Sequence, residues 1–176
     1  DGVREPAKTE LDPMPRVVLV PGLGLFGAGA NAGAAAIAAD IAENTARVIT
    51  DAEAIGPYQS VDEAAMFDIE YWSLEQAKVG KSEEKPLQRK IVIVTGGGSG
   101  IGAATANAFA AEGAQVAILD LNLKAAETIA NAIGGLALAC DVTDPKSIKR
   151  SFEAILLAYG GIDIVVSNAG AAWQGR

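Results

Sequence analysis

The sequence predicts an α/β protein whose second half is a parallel sheet covered by helices. After about residue 90, short apolar runs alternate with segments of helical periodicity. Such alternation is typical of a parallel sheet with right-handed crossovers. Half of the 176 residues are hydrophobic, but only 5% are aromatic. Much of the apolar content is alanine, which suits helices packed closely on a sheet.

Four strands and three helices are predicted in this half. Gly113 is expected just after the first helix, and Asp144 with Pro145 is expected to begin the third. We expect the strands, numbered along the chain, to lie in the order 3-2-1-4. The predicted strands are residues 91–94, 115–119, 136–140 and 162–166, and the predicted helices are residues 101–112, residues 123–133 and a helix from residue 145.

The turn between the first of these strands and its helix is rich in glycine. It reads Thr-Gly-Gly-Gly-Ser-Gly-Ile-Gly from Thr95 to Gly102. Glycine permits positive φ and lets the backbone approach a pyrophosphate closely. The helix N-terminus adds free N–H groups and a positive dipole end. A glycine-rich connector without a ligand is the alternative. The candidate contacts are Gly96, Ser99, Gly100, Ile101 and Gly102.

An aspartate closes the second strand of this half. The carboxylate of Asp120 can accept hydrogen bonds from the adenosine ribose hydroxyls, and it would repel the 2′-phosphate of NADP. The neighbouring Leu121 and Asn122 bring no positive charge. The segment therefore predicts a partial Rossmann, doubly wound sheet that binds NAD, with Asp120 and Leu121 in the site. A solvated loop aspartate is the alternative interpretation.

The ends of the third and fourth strands supply the remaining candidates. Asp141 could accept from the adenine amino group, with Val142 against the ring, although a plain capping aspartate is equally compatible with the sequence. The segment Asn168, Ala169 and Gly170 is small enough for a cofactor ribose to pass, and the Asn168 amide could tie neighbouring strands together. Its alternative is a simple turn.

Together these motifs resemble the short-chain dehydrogenase/reductase family. The pattern is a Thr-Gly-x-x-x-Gly-Ile-Gly turn, Asp120, Asp141 with Val142, and the segment from Asn168 to Gly170. The resemblance implies NAD(H) bound along the C-terminal strand ends. It also implies hydride transfer with an alcohol or a small carbonyl compound as substrate.

The family's catalytic residues are not matched. They are a Ser and a Tyr-x-x-x-Lys pair that follow the Asn-Ala-Gly turn. The three tyrosines of this sequence are followed, four residues on, by acids: Tyr58 by Asp62, Tyr71 by Glu75 and Tyr159 by Asp163. No catalytic residue is therefore assigned, and the chain alone is expected to be inactive by that mechanism, because proton transfer has no agent.

The front of the sequence predicts a β-hairpin followed by helices. We expect a loop or disordered lead-in over residues 1–15, strands 16–20 and 23–28, and helices 31–49 and 62–78. A linker over residues 79–89 then leads to the half-domain 90–176. The run from Gly22 to Gly27 also matches G-x-G-x-x-G, with Asp51 further on, so a second dinucleotide fold is an alternative. Leu23, Leu25 and Phe26 favour a strand instead.

Residues 16–78 resemble the last part of a class II aldolase domain. The whole chain resembles the central part of bifunctional aldolase/short-chain dehydrogenases of the rhamnulose-phosphate aldolase and lactaldehyde dehydrogenase type. The sequence has no histidine, so the aldolase metal ligands are missing. We therefore predict neither an aldolase activity nor a metal site.

Composition narrows the partners further. The net charge of −8 disfavours nucleic acid, whose phosphates an acidic surface repels. Without histidine, His general bases and Ser-His-Asp triads are excluded. The single cysteine, Cys140, cannot form an intrachain disulfide, and a cytoplasmic location is the default expectation. Residues 17–39 are uncharged, but Pro21 and several glycines argue against a membrane span.

The predicted fourth strand would leave an apolar edge exposed, and such edges favour association. We therefore expect a homo-oligomer or a continuation of the chain, which also begins with Asp1 rather than Met. Two hypotheses stay open. One is part of an NAD-dependent oxidoreductase with its catalytic residues elsewhere, and the other is a non-catalytic dinucleotide-binding or interaction module.

Overall fold

The computed structural model describes residue 8, residues 10–77 and residues 84–170. The chain divides into two units. The front unit comprises Asp1–Gly29 and Gly33–Glu84, and the sheet unit comprises Ala30–Ala32 and Lys85–Arg176. Residues 1–7 and 9 of the predicted lead-in, the end of the predicted helix at Lys78 and residues 79–83 of the predicted linker lie outside the described residues.

The front unit begins with the predicted β-hairpin. Strands β1 (Val17–Val20) and β2 (Gly24–Gly27) pair antiparallel, and Val17 faces Gly27 across the pair. Gly22, in the turn, has a φ of +79°, which favours glycine. Because the second half of the G-x-G-x-x-G match is a strand and not a loop leading into a helix, the alternative of a second dinucleotide fold is wrong.

Three helices follow the hairpin. Helix α1 (Ala32–Glu53) is longer than predicted, and it contains Asp51 rather than leading to it. The single helix predicted over residues 62–78 is wrong: the structure has α2 (Glu63–Glu70) and α3 (Ser73–Gln76). Asp62 caps α2 by accepting from the Ala65 N–H. Trp72 between the two helices is extended, with a ψ of 150°, so the helical hydrogen bonding is interrupted there.

The sheet unit contains four parallel strands, in the order β5-β4-β3-β6. They are β3 (Ile91–Thr95), β4 (Gln115–Asp120), β5 (Leu136–Ala139) and β6 (Ile164–Val166). The predicted order 3-2-1-4 is therefore confirmed, as is the α/β class with a preceding hairpin. Strand β5 ends one residue earlier than predicted, at Ala139, which pairs with the last residue of β4. Strand β6 begins two residues later than predicted, at Ile164, which pairs with Val92.

Helices cross between these strands: α4 (Gly100–Ala111), α5 (Leu123–Ile133) and α6 (Pro145–Tyr159). Their ends follow ordinary capping rules. Gly134 and Gly160 take left-handed conformations after α5 and α6, with φ of 66° and 81°. Gly113, with a φ of 94°, lies two residues beyond α4 rather than one.

Two layers of apolar side chains hold the sheet. Val92 and Val94 of β3 point into one cluster with alanines of α4 and α5, whereas Ile93 points into another with Ile155 of α6. This alternation follows from the period of two along a strand. Both faces of the central strands are covered, so ligands can approach only at the strand ends.

Two further features are absent from the described residues. None of their helices combines the length and apolar character that crossing a bilayer requires. Nor do they contain a group of three or more acidic, Cys or His side chains arranged to hold a metal ion. Cys140 is free and buried.

Candidate functional site

A cavity of about 540 Å³ opens at the carboxyl ends of the parallel strands. The structure brings all twelve of the predicted site residues around it. Cys140 and Thr143 also line it, and the sequence interpretation did not include them. The lining residues are Gly96, Ser99, Gly100, Ile101, Gly102, Asp120, Leu121, Cys140, Asp141, Val142, Thr143, Asn168, Ala169 and Gly170.

The glycine turn leaves no room for side chains at most of its positions, and two of them meet backbone atoms. A Cβ on Gly96 would lie 2.9 Å from the Ala169 Cα, and a Cβ on Gly102 would overlap the Gly96 carbonyl oxygen. Gly96 and Gly100 also have φ of 63° and 53°. At Gly100, by contrast, an added Cβ would meet nothing within 4 Å. The turn thus packs tightly against the protein on one side and is open at Gly100.

The N-terminus of α4 lacks a side-chain cap. Ser99 occupies the cap position, but its side chain makes no capping hydrogen bond. The other two helices of the sheet are capped: Asn122 accepts from the Ala125 N–H, and Asp144 accepts from the Lys146 N–H. The first N–H groups of a helix have no intrahelical acceptor. At α4 they remain available where Ser99 and Gly100 line the cavity, an arrangement that suits an anion.

Asp120, the last residue of β4, is held by two backbone donors. The N–H of Gly98 donates to Oδ2 at 2.9 Å, and the N–H of Asn122 donates to Oδ1 at 2.9 Å. A Cβ on Gly98 would come within 2.9 Å of Oδ2. Gly98 therefore fixes the carboxylate, although sequence reasoning assigned it no role. Its position as the last of three consecutive glycines, directly before Ser99, was the only signal in the sequence.

Asp141, which follows β5, is also fixed by its neighbours. Both the hydroxyl and the N–H of Thr143 donate to its Oδ1, at 2.7 and 2.8 Å. The side-chain bond from Thr143, followed by the backbone bond, lowers the pKa of Asp141 below its usual value. The Asp141 N–H donates to the Oγ of buried Ser147 at 3.1 Å. The carboxylate is therefore ionised at neutral pH and restricted in orientation.

Asn168 joins two parts of the site. Its side-chain amide donates to the carbonyl oxygens of Thr95 and Gly96 at 2.9 and 3.2 Å. In return, the Thr95 hydroxyl oxygen accepts from the N–H groups of Asn168 and Ala169, both at 3.0 Å. The end of β6 is thereby attached to the beginning of the glycine turn, as the sequence suggested for the Asn168 amide. Thr95 was not predicted to take part.

The cavity lining contains both polar and apolar groups. The α4 N-terminus offers positive partial charge, while Asp120 and Asp141 offer acceptors at the ends of adjacent strands. Ile101, Leu121 and Val142 are exposed apolar residues in its lining. The lining contains no lysine or tyrosine among the described residues. The arrangement can bind an elongated anion that carries hydrogen-bond donors at one end.

The sheet order, the glycine turn and the cavity at the strand ends define a Rossmann-type α/β fold. Family models agree on both halves of the chain. Residues 90–176 match the model "short chain dehydrogenase", and residues 2–79 match "Aldolase class II, second domain". Residues 90–176 therefore resemble the short-chain dehydrogenase family in sequence as well as in fold, and the resemblance drawn from the sequence is confirmed.

Curated relatives carry oxidoreductase names. The Bacillus subtilis protein "Uncharacterized oxidoreductase YuxG" is 38% identical over 166 residues, which are 90% of this chain and 24% of that protein. The D-threitol dehydrogenase of Mycolicibacterium smegmatis is 44% identical over 91 residues, 49% of this chain and 35% of that enzyme. The sorbitol dehydrogenase of Cereibacter sphaeroides is 48% identical over 85 residues, 47% of this chain and 33% of that enzyme.

A solved structure is similar over the same half. It is a 3-ketoacyl-(acyl-carrier-protein) reductase from Brucella melitensis in complex with NADH, 38% identical, with a TM-score of 0.48. The match covers 49% of this chain and 37% of that one. The present chain thus spans between 24% and 37% of the length of these relatives.

Proposed function

We propose that the sheet unit binds NAD(H) and forms the cofactor-binding part of a short-chain dehydrogenase that transfers hydride between the nicotinamide and an alcohol or small aldehyde. One observation carries the proposal. The uncapped N-terminus of α4 opens onto the same cavity as two carboxylates, Asp120 and Asp141, that are already fixed in place. In a dinucleotide, the negative pyrophosphate would match the α4 N-terminus, and the hydroxyl and amino donors of the adenosine would match the two carboxylates.

The pyrophosphate fits at the glycine turn. Gly96 and Gly102 have no space for a Cβ, whereas Gly100 faces open space, so a phosphate group can approach the backbone at Gly100. The N–H groups at the start of α4 and its dipole then stabilise the negative charge. Ser99 and Ile101 line the cavity beside this point.

Asp120 favours NAD over NADP. Its two oxygens each accept one backbone hydrogen bond, and each keeps a lone pair for a ribose hydroxyl. A 2′-phosphate in the same place would bring a second negative charge against the carboxylate. No ion pair in the described residues places a Lys or Arg on Asp120. The preference for NAD therefore rests on charge repulsion that no ion pair among the described residues reduces.

The reaction class follows from the family and from the names of the relatives, two of which act on the polyols D-threitol and sorbitol. When bound, the nicotinamide accepts or donates the hydride. This chain's residues bind and orient the dinucleotide. The sequence has no Tyr-x-x-x-Lys pair, so we propose that the proton-transfer residues lie outside it and that the chain alone does not turn over.

Calorimetric titration of the 176-residue chain with NAD and with NADP tests the cofactor assignment. NAD should bind, and NADP should bind on the order of tenfold more weakly, because a single uncompensated charge contact has about that effect near a protein surface. Failure of NAD to bind would reject the proposal. Equal binding of both dinucleotides would reject the role of Asp120.

A second experiment separates an oxidoreductase from a non-catalytic binding module, since both bind NAD. The intact mass of the protein purified from its source would be compared with 17.9 kDa, and the same sample would be assayed for NAD reduction with small polyols. A larger mass with activity supports the oxidoreductase. A mass of 17.9 kDa without activity supports the module, and turnover at that mass would show that the missing catalytic residues were inferred wrongly.

A further inference from the structure

We infer that Thr143 is a positioning residue that makes the site selective for adenine over its deaminated form, hypoxanthine. The inference rests on the proposed function, because it assumes that a dinucleotide occupies the cavity. Thr143 lines that cavity beside Asp141 and Val142. Neither family motif nor sequence periodicity singled it out.

The two hydrogen bonds from Thr143 converge on one oxygen of Asp141. The hydroxyl and the N–H both reach Oδ1, at 2.7 and 2.8 Å, and a carboxylate oxygen has two lone pairs in its plane. Oδ1 is therefore saturated. No hydrogen-bond donor in the described part of the chain contacts the other oxygen, Oδ2. One oxygen is thus fixed by the protein, and the other remains as an acceptor for a ligand.

The backbone of Asp141 is fixed as well. Its N–H donates to the hydroxyl oxygen of Ser147, which is buried on the first turn of α6. Anchored at the backbone and at Oδ1, the carboxylate has little freedom to rotate. No ion pair among the described residues includes Asp141, whereas Asp144, three residues further on, pairs with Arg150 at 3.9 Å.

An ionised, fixed carboxylate can discriminate between bases that differ at a single edge. The exocyclic amino group of adenine donates hydrogen bonds, whereas the corresponding position of hypoxanthine is a carbonyl oxygen that only accepts. A carboxylate held in place accepts from the amino group and repels the carbonyl oxygen. A carboxylate that can rotate away loses this discrimination even though its charge is unchanged. The Thr143 hydroxyl therefore contributes selectivity by limiting rotation.

The test compares the affinity of the chain for NAD and for nicotinamide hypoxanthine dinucleotide, by calorimetry, in the wild type and in Thr143→Val. Valine keeps the shape and the backbone N–H but lacks the hydroxyl. In Thr143→Val the dissociation constant for the hypoxanthine dinucleotide divided by that for NAD should fall about fivefold, which is the effect of about one hydrogen bond. Thr143→Ser keeps the hydroxyl and should retain the wild-type ratio.

A double-mutant cycle with Asp141→Ala separates positioning from a general structural effect. In that background Thr143→Val should not change the ratio or the NAD affinity further. An equal loss of NAD affinity in both backgrounds would overturn the inference, as would an unchanged ratio in Thr143→Val or a wild type that binds both dinucleotides equally. If the wild type binds neither dinucleotide, the proposed function fails and the inference fails with it.

Discussion

The two units of the chain each combine strands with three helices, but they differ greatly in how many apolar residues they bury. In the sheet unit, fourteen hydrophobic residues between Val92 and Ile155 are buried. The described helices of the front unit contain no buried residue, although α1 alone runs for 22 residues. Hydrogen-bonded helices therefore do not by themselves indicate a core. Burial of apolar area supplies most of the free energy of folding, and in this chain that burial is concentrated around the sheet.

The largest expected difference between the units is in the cost of removing an isoleucine from a helix. Ile155 of α6 is 0% exposed, whereas Ile41 of α1 is 63% exposed. Ile155→Ala should lower the free energy of unfolding by about 3–4 kcal/mol, the usual cost of a cavity in a core. Ile41→Ala should change it by less than about 1 kcal/mol. Urea unfolding followed by circular dichroism measures both, and equal losses would refute the contrast.

A glycine in each unit gives a second matched pair. In Gly102→Ala the new Cβ would overlap the Gly96 carbonyl oxygen, so the turn must move. We expect a loss of about 2 kcal/mol of stability, within the range for overpacking, together with loss of measurable NAD binding. Gly56→Ala, where a Cβ would meet nothing within 4 Å, should alter neither quantity. Normal NAD binding by the Gly102 variant would show that the turn does not hold the pyrophosphate.

One aspartate from each unit gives a third matched pair, with a smaller expected effect that concerns dinucleotide affinity and not stability. Asp120 ends a strand at the cavity, whereas Asp51 lies within α1, although both follow a G-x-G-x-x-G-like run in sequence. Asp120→Ala should weaken NAD by roughly tenfold, because hydrogen bonds to a charged acceptor contribute about 1.5–3 kcal/mol. The same substitution should weaken NADP binding less, so that the ratio of the NADP and NAD dissociation constants falls. Asp51→Ala should leave both affinities unchanged, and a loss there would contradict the hairpin assignment of the front unit.

The features that the sequence predicted correctly are those with a local pattern. Helix α5 begins and ends where periodicity and Gly134 placed it, and the strand order follows from the alternation of strands and helices. The twelve candidate residues came from turns and strand ends, which the parallel topology necessarily brings to one edge of the sheet. Pattern and topology together were enough to locate the cavity.

The features that were missed depend on contacts between segments. Gly98 donates to Asp120 across the glycine turn, and the Thr95 hydroxyl binds the end of β6, neither of which leaves a periodic signal. Thr143 was missed because its two bonds depend on side-chain orientation. The break at Trp72 was missed because the apolar bulk around it looked continuous, whereas its extended backbone ends the helical hydrogen bonding.

The smallest predicted difference concerns charge. Asp163, just before β6, accepts from the Ile91 N–H at 2.8 Å and from Lys90 at 3.3 Å. The bond from Ile91, followed by the interaction with Lys90, lowers the pKa of Asp163, against the opposing effect of burial. A lowered pKa means that the stabilisation is present above the unfolded-state pKa of about 4 and disappears as the pH falls through the folded-state value below it.

Asp163→Asn should therefore lower the free energy of unfolding by about 1 kcal/mol at neutral pH, a modest value because the side chain is partly exposed to solvent. The difference from the wild type should shrink as urea titrations are repeated below about pH 4. In the front unit, the pair between Glu43 and Arg47 on α1 is largely exposed, and Glu43→Gln should cost less than about 0.5 kcal/mol. If the difference in free energy of unfolding between the wild type and Asp163→Asn stayed constant with pH, the loss would be due to the shape of the amide. The charge of Asp163 would then contribute nothing to joining β6 to the sheet.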